Sequence, residues 1–103
     1  MTASLEKLLA RGQDSATLRF ALGTEYLKLD QPKRASEHLH AAVAMDPNYS
    51  AAWKLLGKAQ VALGLLQEAD ATFTRGIAVA RAHGDEQAAR EMQVFLRRLQ
   101  TSS

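Results

Sequence analysis

Apolar residues recur along this chain at intervals of three and four. Leu18, Leu22, Tyr26 and Leu29 are spaced four, four and three apart, so they share one face of a helix. The same test applied throughout predicts about six helices. The first covers Ser4 to Arg11, presents Leu5, Leu8 and Leu9 on one side and ends at Gly12. The second follows the capping candidates Asp14 and Ser15 and reaches about Leu29, where Asp30, Gln31 and Pro32 break it. Pro32 suits the first turn of a third helix carrying Ala35, Leu39, Ala42 and Val43. Asp46 as cap and Pro47 as first-turn residue would open a fourth, with Trp53, Leu56 and Leu63 inward and Gly64 closing it. A fifth carries Ala69, Phe73, Gly76, Ile77 and Ala80 and stops at Gly84. The sixth takes Asp85 as cap and presents Ala88, Met92, Phe95, Leu96 and Leu99, leaving residues 101–103 as a disordered tail. No sustained period-two alternation signals a strand. Connections of two to five residues place consecutive helices antiparallel and in contact.

Sliding the sequence against itself by 34 residues pairs Leu22 with Leu56, Gly23 with Gly57, Leu29 with Leu63, Ala35 with Ala69 and Ala44 with Ala78. Leu39 meets Phe73 and Val43 meets Ile77, both apolar exchanges. A 34-residue period of helix, turn and helix, with "WKLLGKAQ" followed by "ADATF", resembles the tetratricopeptide repeat family. The second copy supplies Trp53, Leu56, Gly57, Ala69 and Phe73, with Gln60 in the tyrosine slot and Arg81 in the closing proline slot. The first supplies Leu22, Gly23, Tyr26, Ala35 and Pro47, with Arg19 for the tryptophan and Leu39 for the phenylalanine. Together they span about residues 16 to 83.

The resemblance implies an all-α, right-handed stack of about six antiparallel helices in one domain. Residues 1–13 form an N-terminal capping helix, 15–47 and 48–83 the two repeats, and 85–100 a C-terminal capping helix. Two repeats alone expose apolar faces at both ends, so the outer helices are read as covers. The glycines at 23 and 57 then acquire a packing role. Each costs about 1 kcal/mol relative to Ala in a helix interior, and the lack of a Cβ lets the paired helix approach closely.

Composition narrows the function. There is no cysteine, so disulfides and thiolate metal sites are excluded. Thirteen Lys and Arg against eleven Asp and Glu give a net charge of only +2, too little for a nucleic-acid face. Arg90, Arg97 and Arg98 in the last helix are interleaved with Glu86 and Glu91, so solvated helix surface is the favoured reading and a nucleic-acid accessory protein the lesser alternative. The start of the chain lacks a secretory apolar run, and no stretch is long and apolar enough to span a membrane, so a cytoplasmic protein is the default reading. His38 and His40, two apart, point to different helix faces, and His83 adjoins a helix end. Glycines are scattered singly, and no nucleophile, base and acid set forms by any local motif. The chain is therefore read as no enzyme, with no cofactor.

What remains is binding to another protein or peptide. In the family that the sequence resembles, the first helix of each repeat lines a concave groove. Mapped onto this sequence, that role falls to Thr17, Phe20, Thr24, Leu27 and Lys28, then to Ala51, Lys54, Lys58, Val61 and Ala62. Lys54 and Lys58 are four apart and share one helix face, which suits a segment with an acidic or carboxylate group flanked by an apolar side chain. Two alternatives stay open at this point: the lysines as plain solvated surface, and Phe20 as core beneath the first helix. Self-association, as a homodimer or as a structural subunit of a larger complex, is the second mode of action that the pattern allows.

Overall fold

The computed structural model describes residues 1–102. Among them are six helices and no strand: α1 (Thr2–Ala10), α2 (Ala16–Lys28), α3 (Pro32–Met45), α4 (Ser50–Ala62), α5 (Leu66–Ala82) and α6 (Glu86–Ser102). Each helix packs chiefly on its neighbours in the chain, and α4 also touches both α2 and α6. The stack measures 42 × 29 × 18 Å.

Local chemistry sets the helix ends. Ser15 caps α2, its hydroxyl accepting from the Leu18 N–H at 3.0 Å, and the Asp85 carboxylate accepts from the Ala88 N–H at 3.2 Å. The C-termini of α2 and α4 close in the same way. Gln31 N–H donates to the Tyr26 carbonyl and Leu65 N–H to the Gln60 carbonyl, both at 2.9 Å. The turn needs a left-handed residue, which is Gly64 at φ 76° in one case and Asp30 at φ 56° in the other.

The expected start of α4 is corrected. Asp46 and Pro47 do not open the helix, which begins at Ser50. The residue before a proline avoids helical backbone, and Asp46 lies at φ −136°, ψ 89°. Its carboxylate takes the Asn48 N–H at 3.1 Å and its carbonyl the Tyr49 N–H at 3.1 Å, making a tight turn instead. Exposed Pro47 contributes its carbonyl, which accepts the Trp53 Nε1–H at 2.8 Å. The expected disordered tail is corrected as well: Thr101 and Ser102 continue α6, with the Thr101 hydroxyl donating to the Arg97 carbonyl at 3.0 Å. Ser103 lies outside the described residues.

Two buried clusters make the interior. Leu18, Leu22, Tyr26, Ala35, Leu39, Ala42, Leu56 and their neighbours form one. Ala69, Phe73, Ile77, Ala80, Ala89, Met92 and Leu96 form the other. Trp53 packs against both. A Cβ on Gly23 would collide with the Leu39 side chain, and one on Gly57 with the Phe73 ring, so each repeat inserts a large side chain where its partner helix has none. Gly76 adds a third such contact: a Cβ there would lie 2.5 Å from Met92 Sδ and 2.8 Å from Trp53 Cβ. It seats α6 on α5.

The helix α1 has no fully buried residue; Leu5, Leu8 and Leu9 pack half-buried against the first cluster. A polar relay helps hold it. Arg19 pairs with Asp14 at 2.8 Å and reaches His38 Nδ1 at 3.1 Å, while His38 Nε2 lies 3.6 Å from Glu6 of α1. The His38 ring stacks on Tyr26, nearly parallel at 5.5 Å.

Candidate partner-binding groove

The first helices of the two repeats, α2 and α4, lie side by side, and α6 continues the row. Between them run two depressions that share one residue. Thr24, Leu27 and Lys28 of α2 with Leu55 and Lys58 of α4 line the first, of about 360 Å³. Lys58 and Val61 of α4, Leu66 and Phe73 of α5, and Phe95, Arg98 and Leu99 of α6 line the second, of about 470 Å³. Lys58 stands on the divide, its ammonium 5.5 Å from the Phe95 ring centroid. Helical periodicity explains the row: Leu55 and Lys58 are three apart on α4, as are Thr24 and Leu27 on α2.

Of the groove residues nominated from sequence, the structure brings Thr24, Leu27, Lys28, Lys58 and Val61 into these depressions. Thr17, Phe20, Ala51, Lys54 and Ala62 line neither. Thr17 is exposed at the start of α2. Phe20 is half-buried, packed on the first cluster with its ring stacked on Tyr49 at 4.8 Å. That apolar cover, followed by the charge of Asp46, raises the Tyr49 hydroxyl above its ordinary pKa. Lys54 is engaged by Glu91 of α6 at 3.0 Å, so its charge already has a partner and ties two helices together. The two lysines share a face but have different work.

Sequence reasoning misses Leu55, Leu66, Phe95, Arg98 and Leu99 as groove residues. Periodicity places Phe95 and Leu99 inward, as cover for the second repeat. Both are half-buried, so each covers the core with one side and walls the groove with the other. Phe95 stacks on Phe73 at 5.6 Å. The signal available is the spacing of 34 that sets Leu27, Val61 and Phe95 in series. The residues nominated for repeat packing, Leu22, Gly23, Tyr26, Ala35, Leu39, Leu56, Gly57, Ala69 and Phe73, are all buried, while Trp53 is half-buried and Pro47 exposed.

Among the described residues, no helix is long and apolar enough to cross a membrane, and no three His, Cys, Asp or Glu side chains gather as metal ligands would.

Residues 26–90 match the sequence profile of the family described as tetratricopeptide repeat. The chain is 54% identical over 99 residues to TPR repeat-containing protein PA0015 of Pseudomonas aeruginosa, an alignment spanning 96% of this chain and 94% of that protein. Among solved structures, protein BPP2914 from Bordetella parapertussis is similar with a TM-score of 0.86 at 44% identity, over 99% of this chain and 89% of that one. YrrB, described as a TPR protein with an unusual peptide-binding site, is similar with a TM-score of 0.70 at 25% identity, over 97% of this chain and 59% of that one.

Proposed function

The chain belongs to the tetratricopeptide repeat family, whose fold is generally a protein–protein interaction module, and from that premise we propose that it is a cytoplasmic adaptor or chaperone-like module that holds a peptide segment or partner helix in the groove of α2, α4 and α6. The observation that carries this reading is the pair of largely apolar depressions that share the cation Lys58, with Lys28 also lining the first and Arg98 the second. Such a surface suits a segment with one acidic residue between two apolar side chains. The carboxylate would meet the Lys58 ammonium, and the flanking side chains would enter the Leu27–Leu55 and Val61–Phe95 depressions. Burial supplies the affinity at roughly 25 cal/mol per Å² of apolar surface, and the charge supplies register. The peptide-binding site named for YrrB supports the same mode of action without fixing its residues here. No catalytic step is assigned.

The test is an NMR titration with short Leu-Xaa-Asp-Xaa-Leu peptides and with counterparts carrying Lys in place of Asp. Shifts are expected at Thr24, Leu27, Leu55, Lys58, Phe95 and Leu99, with the Asp peptides tighter. Lys58→Glu should weaken them by about two- to fivefold, as expected of an exposed charge contact. Lys54→Glu is the wrong control, because it would set two carboxylates against each other at Glu91. Equal binding of Asp and Lys peptides, or shifts scattered over α1 and α3, would defeat the reading.

A further inference from the structure

At one edge of the groove, Val61, Leu65 and Leu66 crowd a corner, where the turn from α4 to α5 meets the C-terminal part of α6. They are 39%, 40% and 46% exposed, three of the seven large apolar side chains left so open among the described residues. The internal repeat provides a control. Thirty-four residues earlier the same turn is built from Gln31 and Pro32, with matching hydrogen bonds to the preceding helix. The fold therefore does not require leucines at 65 and 66. That leaves their clustered apolar surface available for a contact.

The charges around the corner say what covers it. Leu66 and Leu99 line depressions on two sides. On one side is the depression of Lys58 and Arg98. On the other, of about 560 Å³, are Gln67, Asp70, Ala71 and Gln100. Leu65, Leu66 and Glu68 share the adjoining hollow at the turn. Thus a basic flank and an acidic flank lie on opposite sides of one apolar ridge. A two-fold axis through that ridge lays the basic flank of one molecule on the acidic flank of another, and joins the leucines between them.

We propose that this corner is a self-complementary contact for a second copy of the chain. In such an isologous contact each pairing occurs twice, so Lys58 of one copy faces Asp70 of the other and the reverse. The apolar ridge gives the contact its driving force and the charges fix its orientation. Because the patch is confined to one corner, the dimer is a weak, reversible one at the small end of protein interfaces. Lys58, Val61, Leu66, Arg98 and Leu99 belong to both this contact and the groove, so a second copy and a groove peptide exclude one another.

Sedimentation equilibrium from about 10 µM to 1 mM, the range expected of a small interface, decides the matter. The mass should climb from the 11.3 kDa of one chain towards twice that value. Transplanting the first repeat's turn, Leu65→Gln with Leu66→Pro, should hold the protein monomeric throughout while its helical signal stays intact, since Pro is at home in a first helical turn. A charge exchange supplies an independent readout, needed if the transplant fails to fold. Lys58→Glu and Asp70→Lys should each weaken self-association by fivefold or more in order of magnitude, and mixing the two variants should restore it. A mass that stays at one chain, a transplant that still dimerises, or a mixture no tighter than its components overturns the proposal. The peptide titration is run with dilute protein, so failure of the groove reading and failure of this one are told apart.

Discussion

His38 is wedged between the ring of Tyr26 and two ionised side chains, and its chemistry is dictated by what Arg19 can offer. A guanidinium only donates, so the His38 Nδ1 that it reaches must accept, and the ring proton belongs on Nε2, facing Glu6. Protonating the ring would set one donor against another. Burial lowers the pKa of this histidine below its ordinary 6.5, Glu6 pulls it upward, Arg19 presses it down, and Glu37 and Asp14 raise it slightly. In the folded state His38 takes up its proton at lower pH than in the unfolded chain, so near and below pH 6.5 the unfolded state binds more protons. This contribution to stability is complete above about pH 6.5 and is lost as the pH falls through the folded value. The melting temperature should therefore drop as the pH is lowered from about 7.5 to 5.5. His38→Gln, which cannot titrate, should flatten that slope; an equally steep slope in the variant would rule the relay out as its source. None of this is legible in the sequence, because residues 6, 14, 19 and 38 come together only after three helices pack.

Among the elements, the pairs α2–α3 and α4–α5 repeat one device: a glycine on the first helix receives Leu39 or Phe73 from the second. Propensity and packing oppose each other at these positions. Gly57→Ala should gain up to about 1 kcal/mol of helix propensity and lose about 1–3 kcal/mol as the new methyl displaces the Phe73 ring. Packing wins, and thermal denaturation should show a melting temperature lowered by roughly 5 °C. A rise would mean that the ring moves aside freely. The sequence speaks most clearly at this level, because a 34-residue period and a missing Cβ are both written in single letters. The capping of α2 by Ser15 and of α6 by Asp85 is equally readable. The start of α4 is not, since Asp46-Pro47-Asn48 satisfies a cap pattern and a turn pattern alike, and only the extended backbone imposed before proline separates them. Gly76 stands out on the inward face of its helix, but nothing nearby in sequence indicates that Met92 and Trp53 converge on it.

For the molecule as a whole, Trp53 is the join. The two buried clusters meet through it, its indole is fastened to the Pro47 carbonyl, and Arg75 lies over its ring at 5.9 Å. Repeat proteins behave nearly as sums of units and the contacts between them, so removing the join should do more than weaken the fold. Trp53→Ala should cost about 3 kcal/mol and split one cooperative melt into two overlapping ones, seen as a van't Hoff enthalpy below the calorimetric value. A single sharp transition with matching enthalpies would place the coupling elsewhere. The groove also emerges only at this scale. Its α2 and α4 walls are readable from the repeat, whereas its third wall comes from a helix that periodicity alone marks as an end cover. Half-burial of Phe95 and Leu99 gives one side chain two duties, and a hydrophobic pattern records only the inward one.

That third wall has a further consequence. The helix α6 closes the second cluster with Met92 and Leu96 and borders the groove with Phe95 and Leu99, and Lys54–Glu91 pins it at the rim. The proposed guest beside Lys58 would hold the closing helix against the interior and so act as a fastener for its host. Occupancy and heat resistance would then be two measures of one equilibrium, and the empty molecule would be the more perishable one.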